Sequence, residues 1–95
     1  METEKKHLTS RTQILKKLAI LLEPWLDDLD QAEGLNEQTS LLSDLGLDSV
    51  AILQLILGVE KEFSITIKDH ELDSDVFSKM GNLINIIEGK VNETN

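Results

Sequence analysis

The chain has 95 residues and a mass of 10.7 kDa, the size of one small domain. Nine Lys and Arg against eighteen Asp and Glu leave a net charge of −9, which argues against nucleic-acid binding through a basic patch. The absence of Cys excludes disulfides, thiolate catalysis and Cys-based zinc sites. With only 3% aromatic residues, Leu, Ile and Val must fill the core, and one Pro with five Gly argues against a turn-rich β architecture. No apolar run approaches the roughly 18 to 20 residues of a membrane span. The first residues, Met1 to His7, lack the apolar centre of a secretory signal, so a soluble cytoplasmic monomer is predicted.

Residues 1–9 are expected to form a flexible extension, 10–91 a folded domain and 92–95 a polar tail. Ser10 with Gln13 fits a capping box, and Leu15, Leu18, Leu22, Trp25 and Leu29 follow at helical spacing. Pro24 predicts a kink, or a helix end near Glu23 followed by a short turn. Asp27 to Asn36 reads as an acidic connector, with Gly34 available for a turn. A second helix from Asp48 or Ser49 to Phe63 places Ile52, Ile56, Val59 and Phe63 on one stripe, flanked by Leu53 and Leu57. Its wide apolar arc predicts a central helix touched on several sides, and Gly58 within it predicts close backbone packing. Ser64 to Lys68 alternates like a strand but has no strand to pair with, so an extended connector pinning Ile65 and Ile67 is expected. Asp73 can cap a short helix through Val76 and Phe77. Ser78 is expected to cap a last helix carrying Met80, Leu83, Ile84, Ile87 and Val91. The predicted fold is all-α, a small bundle of three main helices and one short one.

Conventional catalytic arrangements are missing. No Ser sits in a Gly-x-Ser-x-Gly elbow, and neither His7 nor His70 has a motif partner. A calcium loop starting at Asp69 would need Gly at its sixth position and an acid at its twelfth, where Ser74 and Met80 stand. Charge is distributed unevenly, for residues 18–60 hold nine acids and no Lys or Arg. Such a stretch suits docking to cationic partners, or simply a solvated face.

What remains is Asp44-Leu45-Gly46-Leu47-Asp48-Ser49-Val50, at the entrance of the second helix. Gly46 permits an unusual backbone angle and Asp48 can cap the helix. Ser49 then falls in the first turn, where free N–H groups and the helix dipole favour an attached anion such as a phosphate ester. Taken alone, an Asp-Ser pair reads as ordinary capping rather than as an attachment site.

The wider stretch, Thr39-Ser40-Leu41-Leu42-Ser43 followed by Asp44 to Val50, resembles the phosphopantetheine attachment region of acyl carrier proteins. The resemblance continues through Leu53, Leu55, Leu57, Glu60, Glu62 and Phe63, then Leu72 to Met80, and ends with Leu83, Ile86 and Ile87. It covers Leu35 to Val91 in register.

The resemblance implies an acyl-carrier-like bundle and a carrier function without turnover of its own. A phosphopantetheinyl transferase would attach 4′-phosphopantetheine to Ser49, with Asp48 assisting through metal and transferase contacts. The prosthetic thiol would carry acyl groups as thioesters, which accounts for thiol chemistry in a chain without Cys. Acyl-activating, acyltransferase or ketosynthase enzymes of fatty-acid, polyketide or related lipid synthesis would dock through basic surfaces onto Asp44, Leu47, Val50 and Glu60. The Leu- and Ile-rich interior also admits an apolar acyl chain between parted helices, against the reading of an ordinary closed core. Ala51 and Gln54 stand where fatty-acid carriers usually place acids, and Val50 where the family usually has Leu. An aminoacyl or peptidyl carrier, and a noncovalent helical adaptor with the same fold, are the alternatives.

Overall fold

Ser10 opens the first helix as its spacing to Gln13 predicts. In the computed structural model, which describes residues 9–93, the Ser10 hydroxyl accepts the Gln13 N–H at 3.1 Å. The Gln13 side chain accepts the Ser10 N–H at 2.9 Å, so each residue satisfies a free donor of the other. Helix α1 then runs Arg11–Leu22. Pro24 cannot continue it, and the chain tightens into a 3₁₀ turn over Glu23–Trp25, the second of the two outcomes expected.

The acidic connector holds more structure than its composition suggests. A five-residue helix, α2, spans Leu29–Glu33. It forms because the Asp28 carboxylate accepts the Gln31 N–H at 2.9 Å, a local cap inside a run of charges. Helix α3 follows over Ser49–Phe63 and ends at Ser64, which adopts a left-handed φ of 56°. Residues 65–68 form no regular element, Lys68 is extended, and the described residues contain no strand. The segment is held instead by the Glu60 carboxylate, which accepts the Ile67 N–H at 2.9 Å, with Ile67 buried and Ile65 half-buried against the core.

A 3₁₀ turn at Asp69–Glu71, helix α4 over Ser74–Ser78 and helix α5 over Met80–Glu93 complete the order. Asp73 caps α4 as expected. Ser78 does not cap α5; it closes α4, donating its hydroxyl to the Asp75 carbonyl at 2.8 Å. No side-chain cap is needed at α5, because the Met80 and Gly81 N–H groups donate to the Thr39 and Glu37 carbonyls at 2.8 and 2.9 Å. The tail is also shorter than expected, since Asn92 and Glu93 continue α5. Asn92 clamps Thr9 at the start of the described chain, accepting its N–H at 2.9 Å. Residues 1–8 of the expected extension, His7 among them, lie outside the described residues, as do residues 94–95 of the tail.

The described residues form an all-α bundle of three main helices and two short ones. Helix α1 packs against both α3 and α5, and α4 against α5. Lys17 pairs with Glu62 at 2.9 Å while Leu21 meets Gly58, so α1 and α3 run antiparallel. Ile14, Leu18 and Leu22 of α1 join Leu55, Ile56 and Val59 of α3 and Leu83, Ile84 and Ile87 of α5 in one core. Each such side chain gains about 2 kcal/mol from leaving water. The stripe on α1 is centred on Ile14 rather than Leu15, which stays half-buried.

At the far end Arg11 gathers three segments. Its guanidinium donates to both Glu37 carboxylate oxygens at 2.9 and 2.6 Å, and to Glu88 and Asn85 of α5 at 2.9 and 2.6 Å. The planar fork suits this bidentate contact. Its hydrogen bonds hold the Glu37 carboxyl below the ordinary range, more than offsetting the opposing effect of desolvation.

Candidate functional site

The loop before α3 is built by its own polar side chains. Asp44 accepts the Ser40 N–H at 2.8 Å, and the Ser40 hydroxyl accepts the Ser43 N–H at 3.0 Å. Backbone bonds then tie the loop to the bundle: the Leu41 N–H donates to the Phe77 carbonyl of α4 at 3.0 Å, and the Leu47 N–H to the Leu41 carbonyl at 3.0 Å. Gly46 has a φ of 68°, a conformation that costs other residues roughly 1–2 kcal/mol. This turn sends Leu41 and Leu47 into the core and returns the chain to the surface at Asp48.

Asp48 caps α3, its carboxylate accepting the Ala51 N–H at 2.9 Å. Ser49 is the first helical residue and is exposed. The helix leaves its first N–H groups without intrahelical acceptors, and its dipole places partial positive charge there. An exposed hydroxyl beside those donors fits a phosphate ester. Val50, the next residue, is 63% exposed.

Other expected site residues stand differently. Leu47, expected at the docking surface, is 6% exposed because the Gly46 turn and the Leu41 bond point it inward. It seats the loop. Glu60 is half-buried and holds Ile67. Asp44 is exposed, yet one carboxylate oxygen is engaged within its loop.

Helix α3 also departs from the central helix, touched on several sides, that its wide apolar arc predicts. Ala51, Leu55, Ile56 and Val59 are buried, while Leu53 and Leu57 are 59% and 57% exposed. Steps of three and four from Val50 put these two on its stripe, about 100° per residue around the helix. Their helical spacing is plain in the sequence; that neighbours cover only one side of the helix is not.

The described residues contain no group of His, Asp and Glu suited to hold a metal ion, and no helix long and apolar enough to cross a membrane.

Comparison with known proteins agrees with this geometry. A family described as the phosphopantetheine attachment site matches residues 19–84. The chain is 29% identical over 84 residues to an acyl carrier protein of Thermotoga maritima, covering 88% of this chain and 99% of that one. It is 30% identical over 78 residues to the acyl carrier protein AsbD of Bacillus anthracis, covering 82% and 86%. An acyl carrier protein of Clostridium acetobutylicum is 34% identical over 62 residues, 65% of this chain and 78% of that one. The chain belongs to the phosphopantetheine attachment-site family and is an acyl carrier protein whose cofactor is 4′-phosphopantetheine.

Proposed function

We propose that Ser49 is the residue that bears the 4′-phosphopantetheine, and that this carrier presents acyl thioesters to enzymes of fatty-acid, polyketide or related lipid synthesis. The observation that carries the assignment is the exposed Ser49 hydroxyl, one residue beyond the Asp48 cap and at the positive end of a 15-residue helix.

In the modification step a phosphopantetheinyl transferase brings coenzyme A to Ser49. The Ser49 oxygen bonds phosphorus, its proton leaves to a base on the transferase, and adenosine 3′,5′-bisphosphate departs. When bound, the prosthetic group supplies the thiol that this Cys-free chain lacks. Asp48 keeps one carboxylate oxygen on the Ala51 N–H, leaving the other to meet the transferase or its magnesium ion. The rigid cap and the pinned loop hold Ser49 at a fixed place on the surface. The chain turns nothing over itself; acyl-activating, acyltransferase and ketosynthase partners act on the cargo.

The test is mass gain on incubation with coenzyme A, Mg²⁺ and a broad-specificity phosphopantetheinyl transferase. One phosphopantetheine on the wild type and none on Ser49→Ala is expected. Equal gain by both would move the attachment elsewhere.

A further inference from the structure

A cavity of about 400 Å³, open to solvent, is walled by Gln31 of α2 and by the loop that leads to Ser49, from Leu35 to Leu45. Its volume falls within the roughly 300–1,000 Å³ of small-molecule sites. Two of the side chains lining it keep unspent hydrogen-bonding capacity. Thr39 is 9% exposed, and its hydroxyl accepts the Asn36 N–H at 3.0 Å but donates to no acceptor among the described residues. A buried hydroxyl proton left unpaired is costly, and a ligand carbonyl would satisfy it. The side-chain amide of Gln38 makes no hydrogen bond among the described residues, although its backbone N–H donates to Asn36 at 2.7 Å. The lining includes one acid, Asp44, and no Lys, Arg or His, so it disfavours phosphate and carboxylate and suits a neutral, amide-bearing ligand.

On the reading that Ser49 bears the arm, we propose that this cavity is the arm's resting seat on its own carrier. The amide-bearing stretch of the arm folds back over the loop, where Thr39 and Gln38 bind its amides and Leu35 and Leu45 meet its apolar carbons. Two observations choose this occupant. The first is chemical: beyond its phosphate the arm is neutral and alternates amides with short hydrocarbon pieces. The Thr39 hydroxyl can donate to an amide carbonyl, and Gln38 can both donate and accept. The second is reach. The far amide of the arm stands about eleven bonds from the Ser49 oxygen, roughly 13 Å at the span of extended backbone. Asp44, on the cavity wall, is separated from Ser49 by at most about 17 Å of chain, and the turn at Gly46 shortens that distance.

Attachment also removes the need for a tight site. A short flexible tether supplies its ligand at an effective concentration of about millimolar, so a few weak contacts fill the cavity. Weak contacts suit a carrier, because an enzyme that takes the thiol must draw the arm out again. The seat lies in the loop before α3, so filling it leaves the packing of Leu55, Ile56 and Val59 against α1 and α5 undisturbed.

The experiment compares heteronuclear NMR spectra of the chain before and after the arm is attached. Attachment should shift the Gln38 side-chain amide, Thr39 and Leu45 as well as residues 48–51, and arm protons should show nuclear Overhauser contacts to the Leu45 methyls. Gln38 is exposed and Gln38→Ala keeps the backbone bond to Asn36, so the variant should fold as wild type does. Losing one hydrogen bond should weaken docking about fivefold, cutting the changes at Thr39 and Leu45 to less than about half and leaving those at residues 48–51 in place. Thr39→Ser, which keeps the hydroxyl, should match wild type, and Thr39→Val should behave as Gln38→Ala does. Changes confined to residues 48–51 in wild type, or changes at Thr39 and Leu45 that Gln38→Ala leaves intact, overturn the proposal while leaving Ser49 as the attachment residue. So do arm contacts to Leu55 or Ile84 in place of Leu45, which would seat the arm in the core. If wild type gains no phosphopantetheine at all, the reading of Ser49 falls and this proposal with it.

Discussion

Two neighbouring residues, Gly46 and Asp48, do most to place the Ser49 hydroxyl, and each can be perturbed separately. Nothing lies within 4 Å of a Cβ built on Gly46, so Gly46→Ala meets no steric block and its cost is torsional. A loss of about 1–2 kcal/mol is expected from urea unfolding, with the substituted chain still modified. Asp48 combines a cap with a free carboxylate oxygen. Asp48→Ala should cost about 1 kcal/mol of stability and slow modification. Asp48→Asn keeps a capping acceptor, so it should fold within about 0.5 kcal/mol of wild type yet be modified at least about tenfold more slowly. Loss of stability without loss of rate would reduce Asp48 to a cap. This attachment segment was legible in the residues from Asp44 to Val50, whose types and spacing are local. The inward turn of Leu47 was not, since its direction depends on the φ at Gly46 and on a bond to Leu41 six residues away.

Helix α5 contains two glycines in opposite circumstances. A Cβ on Gly81 would lie 3.2 Å from the Glu37 carbonyl oxygen, while one on Gly89 would meet nothing within 4 Å. Gly81→Ala should therefore push the Glu37 loop away and cost about 1–3 kcal/mol. Gly89→Ala should stabilise by up to about 1 kcal/mol through helix propensity alone. Opposite shifts in urea midpoint would check the pair; shifts of the same sign would contradict this placement of the loop on α5. The loop matters because its Thr39 and Glu37 carbonyls replace the side-chain cap that Ser78 was expected to provide. Long helices such as α3 were legible from hydrophobic period. Helix α2 was not, for five residues are too few to establish a period and only the Asp28 cap betrays it. Covered and open faces of α3 were equally hidden, because both are apolar and tertiary neighbours alone distinguish Leu55 from Leu53.

Over the whole molecule, charge sets how stability responds to acid. Glu37 is held below the ordinary glutamate value of 4.5, first by its hydrogen bonds from Arg11. Glu71 is lowered too, first by the Lys68 N–H and then by Lys90, whose ammonium lies 3.0 Å away. Each binds its proton less tightly folded than unfolded. Their contribution is thus complete above about pH 4.5 and drains away as pH falls through the lowered folded values. Relief of repulsion among the excess acids works in the opposite direction, so a single stability curve mixes both effects. Comparing wild type with Glu37→Gln separates them. The variant should be less stable at pH 7, and the gap should narrow as pH falls below 4.5 and through the lowered folded value, where Glu37 takes up its proton in the wild type. A gap independent of pH would remove the Arg11–Glu37 pair from the account.

The attachment assignment itself rests on one bond to one oxygen, and intact-protein mass spectrometry reads it directly. After coenzyme A, Mg²⁺ and the transferase, wild type should gain a single phosphopantetheine, fragmentation should place it on Ser49, and Ser49→Ala should stay at its starting mass. An unmodified wild type, or a label on any other residue, would contradict the assignment.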